Sequence, residues 1–313
     1  MGGAEHRVAY LAWAPLGTEP VRRFAQSYRE QPGSLEHTLV VIYNGFVGER
    51  DARLAECRRE FDGIAHEELL LGEPLLDLAA YVEATRRVPG ARWCFLNSYS
   101  VLLAPGWLAL LSAALDPSDV GLVGASGSWG SMRSYVRFQF GLGGPYAEVF
   151  DDRRETNATL AAIDRRNTPA GPRIGFTARR LRTVRATFEQ TRGFARFPAS
   201  HVRSTGFVID ADTLASLRIP PLRSKIATYR FESGAASLTA QVTAIGMRAL
   251  VVDRAGRAFA PADWPSSATF WQSRQEGLLI ADKQTSHYDQ SDLLGRSVLA
   301  GFAWGGAREA RAG

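Results

Sequence analysis

The sequence predicts an α/β fold, a mostly parallel Rossmann-type sheet flanked by helices, and three observations carry that prediction. Short apolar runs alternate with stretches of 3.6-residue periodicity between residues 8 and 125. Of the 313 residues, 45% are hydrophobic and 22% charged, a balance that can bury one large core or two fused smaller ones. The stretch from Trp93 to Trp129 runs from an apolar strand through the polar turn Asn97-Ser98-Tyr99-Ser100 into a helix and a second strand. Strict alternation of this kind builds a mostly parallel sheet covered on both faces.

Taken in order, Val8 to Trp13 reads as a buried strand, and Thr18 is placed to cap a helix whose Val21, Phe24, Ala25 and Tyr28 share one face. Leu39 to Tyr43 is the second strand. The turn Asn44-Gly45-Phe46 leads from it into a helix with Leu54, Cys57 and Phe61 on one side. Glu68 to Leu71 is a short third strand, and Leu75, Leu78, Ala79 and Val82 mark the next helix face. Trp93 to Leu96 is the fourth strand. Pro105 opens a helix burying Trp107, Leu110, Leu111 and Ala114, and Val120 to Ala125 is the fifth strand. From about Gly127 to Pro198 no clear period is visible, and the expectation is an irregular insertion with one or two helices around Phe176 to Phe188. Order returns with a strand at Gly206 to Ile209, a short helix at Asp212 to Leu217, a helix face of Leu238, Val242 and Ile245, and a strand at Arg248 to Asp253. The segment after Ser291 is expected to fray.

The formal charge of +5 comes largely from arginines in the middle of the chain, among them Arg153, Arg154, Arg165, Arg166, Arg173, Arg179, Arg180, Arg182 and Arg185. Such a block suits phosphates, acidic glycans or an anionic membrane face, and it also reads simply as a solvated surface. No nucleic-acid module accompanies it, so no nucleic-acid partner is expected. The two cysteines, Cys57 and Cys94, sit among apolar residues, which argues for reduced thiols in a cytoplasmic protein. The apolar run near the start is too short for a signal sequence, and no segment approaches the ~20 apolar residues of a membrane span.

Ligands of open parallel sheets bind beyond the carboxyl ends of the strands. Asn44 and Asn97-Ser98 each follow a strand directly, so both belong on that rim; each is also an ordinary turn former. The turn after the first strand, Ala14-Pro15-Leu16-Gly17, lacks the glycine pattern of a dinucleotide site, and no phosphate-loop motif occurs. Gly124-Ala125-Ser126-Gly127-Ser128 has Ser where a hydrolase elbow ends in Gly, and neither Cys nor His has zinc-ligand spacing.

On these motifs the chain resembles a bacterial family 2-like glycosyltransferase of the GT-A fold. Val40-Val41-Ile42-Tyr43-Asn44-Gly45 is similar to the family's nucleotide-contacting turn. Phe95-Leu96-Asn97-Ser98-Tyr99-Ser100 with Ala104-Pro105-Gly106-Trp107-Leu108 is similar to the strand, metal-binding turn and helix that hold the donor diphosphate. Val202 to Ile209 resembles the strand under the acceptor site, and Phe231-Glu232-Ser233-Gly234 falls at the place of the acidic catalytic pair. The resemblance implies a nucleotide-sugar-binding half (1–126), an arginine-rich insertion (127–197), an acceptor-side catalytic half (198–290) and a tail (291–313). It implies transfer of a sugar from a nucleotide-diphosphate donor to a glycan or lipid-linked acceptor, with inversion, in the cytoplasm or peripherally at the inner membrane. The alternative is a protein of the same fold that binds a nucleotide or glycan without transfer.

Two departures bear on mechanism. The family's metal-holding Asp falls at or beside Tyr99, and Tyr cannot replace a carboxylate for hard Mg²⁺ or Mn²⁺. Either the reaction runs without metal or other groups, His201 and Asp282 being the candidates, hold the ion. Arg203, Arg230 and Lys283 are the cations available to neutralise the diphosphate instead. The second departure is Ser233 in place of a second carboxylate, which leaves Glu232 as the candidate base; the competing reading has Glu232 capping a helix that starts near Ala235. Asn44, Asn97, Ser98, Ser100 and Arg203 are the expected donor contacts, and His201, Arg230, Asp282, Lys283 and Gln284 the expected acceptor or diphosphate side. Trp264, Phe270, Trp271, His287 and Tyr288 are candidates for an aromatic sugar platform or for core.

Overall fold

The computed structural model describes residues 5–167 and 191–306. The first half alternates as expected: β1 (His6–Trp13), α1 (Glu19–Glu30), β2 (Thr38–Asn44), α2 (Ala52–Arg59), β3 (His66–Leu70), α3 (Asp77–Arg87), β4 (Arg92–Leu96), the short β5 (Val101–Leu102), α4 (Trp107–Leu115) and β6 (Val120–Gly124). Then come β7 (Gly127–Ser128), α5 (Met132–Gln139), α6 (Pro145–Val149) and α7 (Arg153–Asn167). After residue 190 follow β8 (His201–Val202), β9 (Gly206–Asp210), α8 (Ala211–Ser216), α9 (Lys225–Ser233), α10 (Leu238–Ala244), β10 (Arg248–Val252) and β11 (Ala258–Phe259). The last elements are β12 (Ile280–Ala281), α11 (Lys283–Gln290) and α12 (Leu293–Trp304).

Eight strands form one sheet in the order β11-β10-β6-β9-β4-β1-β2-β3. Strands β3, β2, β1 and β4 run parallel, as do β6 and β10. Strand β9 is antiparallel to both β4 and β6, so those two point the same way. The carboxyl ends of β2, β4 and β6 therefore share one rim, and the beginning of β9 lies on it. The sheet is thus mixed but mostly parallel, with helices packed on it.

Alternate residues of the same strand feed two cores, which is why these strands read as continuous apolar runs. Val8, Tyr10, Val41, Tyr43, Cys94 and Leu96 face Phe24, Leu54, Trp107 and Leu111 of α1, α2 and α4. Ala9, Leu11, Val40, Ile42, Trp93 and Phe95 face Tyr81, Leu214, Phe231, Val242 and Trp264 on the other side. Tyr10 stacks on Phe24 with centroids 3.7 Å apart, and Phe95 stacks against Tyr81 at 4.8 Å and Trp93 at 5.6 Å.

Several local expectations need correction. Thr18 precedes α1 without making a side-chain cap bond. Pro105 lies outside α4, whose N-cap is Gly106 at φ 72°, a left-handed conformation that suits glycine. Ile245 sits past the end of α10 and is half exposed. Regular structure also appears where no period was read, since α5, α6 and α7 occupy 132–167; the helices expected around Phe176 to Phe188 lie outside the described residues. The segment after Ser291 is helical as far as Trp304, where α12 buries Val298, Leu299, Ala300, Phe302, Ala303 and Trp304; residues 307–313 lie outside the described residues.

Helix α12 joins the insertion through an aromatic cluster. Phe302 packs on Phe138, Tyr146 and Phe150, and Tyr146 Oη donates to the Phe302 carbonyl at 2.7 Å. Trp304, 2% exposed, donates Nε1–H to the Phe270 carbonyl at 2.7 Å. Among the described residues, no helix is long and apolar enough to cross a membrane. Trp304→Ala is expected to lower unfolding stability by ~3–5 kcal/mol, the usual cost of emptying a buried aromatic site; a urea midpoint unchanged from the parent would contradict this packing.

Candidate active site

Asn44 closes β2 and is fully buried. Its Nδ2 donates to the Leu75 carbonyl at 2.6 Å, and Leu75 N–H donates to its Oδ1 at 2.9 Å. This amide pair fixes the approach to α3 and places Asp77 at the first position of that helix. Asn97 accepts from Tyr99 N–H at 2.9 Å, an Asx-type turn that leaves the Tyr99 side chain 36% exposed. Ser100 Oγ donates to the Thr205 carbonyl at 2.9 Å, and the carbonyl of buried Ser98 accepts from Tyr10 Oη at 3.2 Å. Asn44 and Asn97-Ser98 thus lie on one rim, as expected, with their polar groups largely engaged in building it.

Beside them a cleft of about 760 Å³ opens along β7 and β8, the short strands that follow β6 and precede β9. Its walls include His201, Arg203, Lys225, Glu232, Phe270, Trp271, Lys283, Gln284 and His287, whereas Asn44, Asn97, Ser98 and Ser100 are outside its lining. Of the candidate aromatic platform, Trp271 and His287 line the cleft, and Phe270, buried at its wall, stacks on Trp271 at 4.4 Å, while Trp264 and Tyr288 are core.

Glu232 lies in the last turn of α9, one residue before its end. The competing cap role is filled by Ser237, whose Oγ accepts from Ala240 N–H at the start of α10. Glu232 Oε1 accepts from Ser204 N–H at 2.9 Å and from Ser204 Oγ at 2.7 Å. Its Oε2 has no hydrogen-bond partner among the described residues and is not sealed from solvent. A carboxylate held by one oxygen with the other open to a cleft has the geometry of a positioned proton acceptor.

His201 starts β8 with Nδ1 2.8 Å from the Ala199 carbonyl, so that nitrogen carries the proton and Nε2 is the acceptor. Burial pushes its pKa down and Arg203 adds to the effect, outweighing the upward pull of Ala199 and Glu232. The imidazole is therefore neutral at pH 7.

Asp282 caps α11 and is 4% exposed. Its Oδ2 accepts from Arg203 Nη2 at 2.9 Å and Thr205 Oγ1 at 2.6 Å, and its Oδ1 from Thr285 N–H at 2.9 Å. Burial alone raises a carboxyl, but Arg203 and these hydrogen bonds more than offset it and hold Asp282 below the usual range. The Arg203 guanidinium lies over the Phe270 ring at 3.9 Å, and its Nη1 is buried without a partner. Lys283 extends over Tyr99 with Nζ 5.8 Å from the ring centroid, and among the described residues no carboxylate pairs with it. The Gln284 carbonyl accepts from Trp271 Nε1 at 3.1 Å. Arg230 instead packs over Gly193, outside the cleft lining.

The expected donors for Mg²⁺ or Mn²⁺ do not fit a metal centre. Hard divalent cations need several oxygen ligands. The turn offers no carboxylate, its Asn97 Oδ1 already accepts from Tyr99 N–H, Asp282 already accepts three hydrogen bonds, and among the described residues no three His, Cys, Asp or Glu side chains gather.

Sequence reading missed Asp77, which resembles any acid in a first helical turn. Burial pushes its carboxyl up to about 6, and the Glu232 charge adds to that. Tyr81, one turn further along α3, has its hydroxyl buried without a partner. Because the folded-state value lies above the ordinary 3.8, the stability this group contributes is complete below about pH 4 and is lost as pH rises through about 6. Asp77→Asn is therefore expected to be more stable than the parent at pH 7.5, with the difference shrinking on acidification to pH 4. Urea titrations at the two pH values check it, and a pH-independent difference would contradict the assignment.

No protein-family model matches the chain, and no curated protein matches it. Among solved structures it is similar to residues 1–349 of S. aureus TarS, with 14% identity and a TM-score of 0.30 over 38% of this chain and 34% of that one. It is also similar to glucosyl-3-phosphoglycerate synthase from Mycobacterium tuberculosis in complex with Mn²⁺, UDP and glucosyl-3-phosphoglycerate. There the identity is 12% and the TM-score 0.38 over 80% of this chain and 70% of that one. The chain spans about a third of the length of the TarS 1–349 structure and 21% of the TarS structure. The chemistry of the site rests on its own residues.

Proposed function

We propose that this protein is a GT-A-type, family 2-like glycosyltransferase that moves a sugar from a nucleotide-diphosphate donor to a hydroxyl of a glycan or lipid-linked acceptor, with inversion at the anomeric carbon. The observation that carries the reading is Glu232: a carboxylate pinned through one oxygen by Ser204, its other oxygen available at a cleft on the carboxyl-end rim of a mostly parallel sheet. Glu232 takes the proton of the acceptor hydroxyl as that oxygen bonds to the anomeric carbon. The bond from that carbon to the diphosphate oxygen breaks, and its electron pair leaves with the diphosphate. Trp271, backed by buried Phe270, supplies an apolar face for a sugar ring, and neutral His201 supplies a hydrogen-bond acceptor. The rim around Asn44 and Asn97 is the side on which the nucleotide lies, which makes residues 1–126 the donor half and 198–290 the acceptor half.

An acceptor on a lipid carrier would bring the protein to the inner face of an anionic membrane, where the central arginines suit the surface charge.

A second reading, binding of a nucleotide or glycan without transfer, is favoured by the amide of Asn44, engaged at both ends by Leu75, and the internally bonded turn at Asn97. Two measurements separate them. Calorimetry with UDP-, GDP- and dTDP-sugars, with and without Mn²⁺, is expected to find a donor that is also turned over in a transfer or hydrolysis assay; binding without turnover under every condition selects the second reading. Glu232→Gln is expected to lower kcat by about 10²–10⁴, the range for a general base, while leaving donor affinity nearly unchanged. Unaltered turnover removes Glu232 from the mechanism.

A further inference from the structure

Resting on the transferase reading, the geometry points to a leaving diphosphate neutralised by protein cations, Lys283 foremost with Arg203 behind it, so that donor binding needs no divalent metal. A nucleoside diphosphate leaves with two or more negative charges, which must be met by cations or oriented donors. The turn and Asp282, the places expected to recruit a metal, offer no free carboxylate. Tyr99 stands where an acid is expected, and Asp282 holds Arg203, Thr205 and the start of α11.

Positive charge is left over at the same place. Lys283 is exposed on the first residue of α11 and no carboxylate pairs with it among the described residues, so its ammonium over Tyr99 is available to a ligand. Arg203 gives Nη2 to Asp282, but its Nη1 is a buried donor with no acceptor, a costly state that an incoming phosphate oxygen relieves. The two groups are joined through Asp282, which neighbours Lys283 in sequence and bonds Arg203 in space. Lys225, the other lysine of the cleft, sits two turns away from Glu232 on α9, with Nζ 5.6 Å from the Tyr229 ring centroid. The cleft therefore carries a leaving-group end at Lys283 and Arg203, and a proton-accepting end at Glu232.

The test is calorimetric titration of the full chain with inorganic pyrophosphate and with UDP, GDP and dTDP, each in EDTA and in Mn²⁺. The expected result is binding of pyrophosphate and at least one nucleotide with the same affinity in both buffers, weakened about tenfold or more by Lys283→Ala and largely restored by Lys283→Arg. Because Lys283 is exposed, unchanged thermal unfolding of both variants is expected and shows that the loss is local. Binding that appears only with Mn²⁺, or that ignores Lys283→Ala, overturns the inference while leaving the transferase reading intact if turnover still depends on Glu232. Absence of binding by all four probes in both buffers overturns the inference and the transferase reading together.

Discussion

The Asp282 carboxylate, buried and shared between Arg203, Thr205 and the N-terminus of α11, is the constraint on which the site depends. A charge taken out of water must be paired and hydrogen-bonded or it will neutralise itself. Here the pairing also fixes geometry. Thr205 accepts Ser100 Oγ at its carbonyl, so the turn after β4, the start of β9 and the start of α11 are tied into one polar network. With Arg203 held over Phe270, the aromatic wall and the cationic end of the cleft are positioned by the same residue.

The opposite wall depends on apolar contacts. Helix α12 lays Phe302 against Phe138, Tyr146 and Phe150, and anchors Trp304 to the carbonyl of Phe270. Leu299, Phe302 and Ala303 of α12 line the cleft together with Met132, Tyr135 and Leu160 of the insertion. A segment far along the chain and one in its middle are thereby made into a single wall, and the apolar area they bury is what holds them there.

Much of the fold was legible because its signals are local. Strands β1, β2, β4, β6, β9 and β10 were each found within a residue or two, since a strand buried on both faces leaves an uninterrupted apolar run. The shared rim of Asn44 and Asn97 followed from parallel pairing alone. Helices α5 to α7 were not found: they bury only part of a face each, and their partners lie in α12, more than a hundred residues away. Leu293 and Leu294 are exposed, so α12 begins without an apolar face that marks it as core.

By itself the sequence determined the alternation of elements, the mostly parallel sheet and the rim on which chemistry can sit, because these follow from periodicity and from the handedness and pairing of neighbouring segments. It also named Glu232, Arg203, Asp282 and Lys283 as residues to watch. Only the tertiary structure decided what holds each of them. Hydrogen-bond saturation and burial are set by partners distant in the chain: Leu75 for Asn44, Ser204 for Glu232, Arg203 for Asp282. Whether a polar side chain is a ligand or a strut depends on which of its atoms those partners leave free, and no local pattern records that.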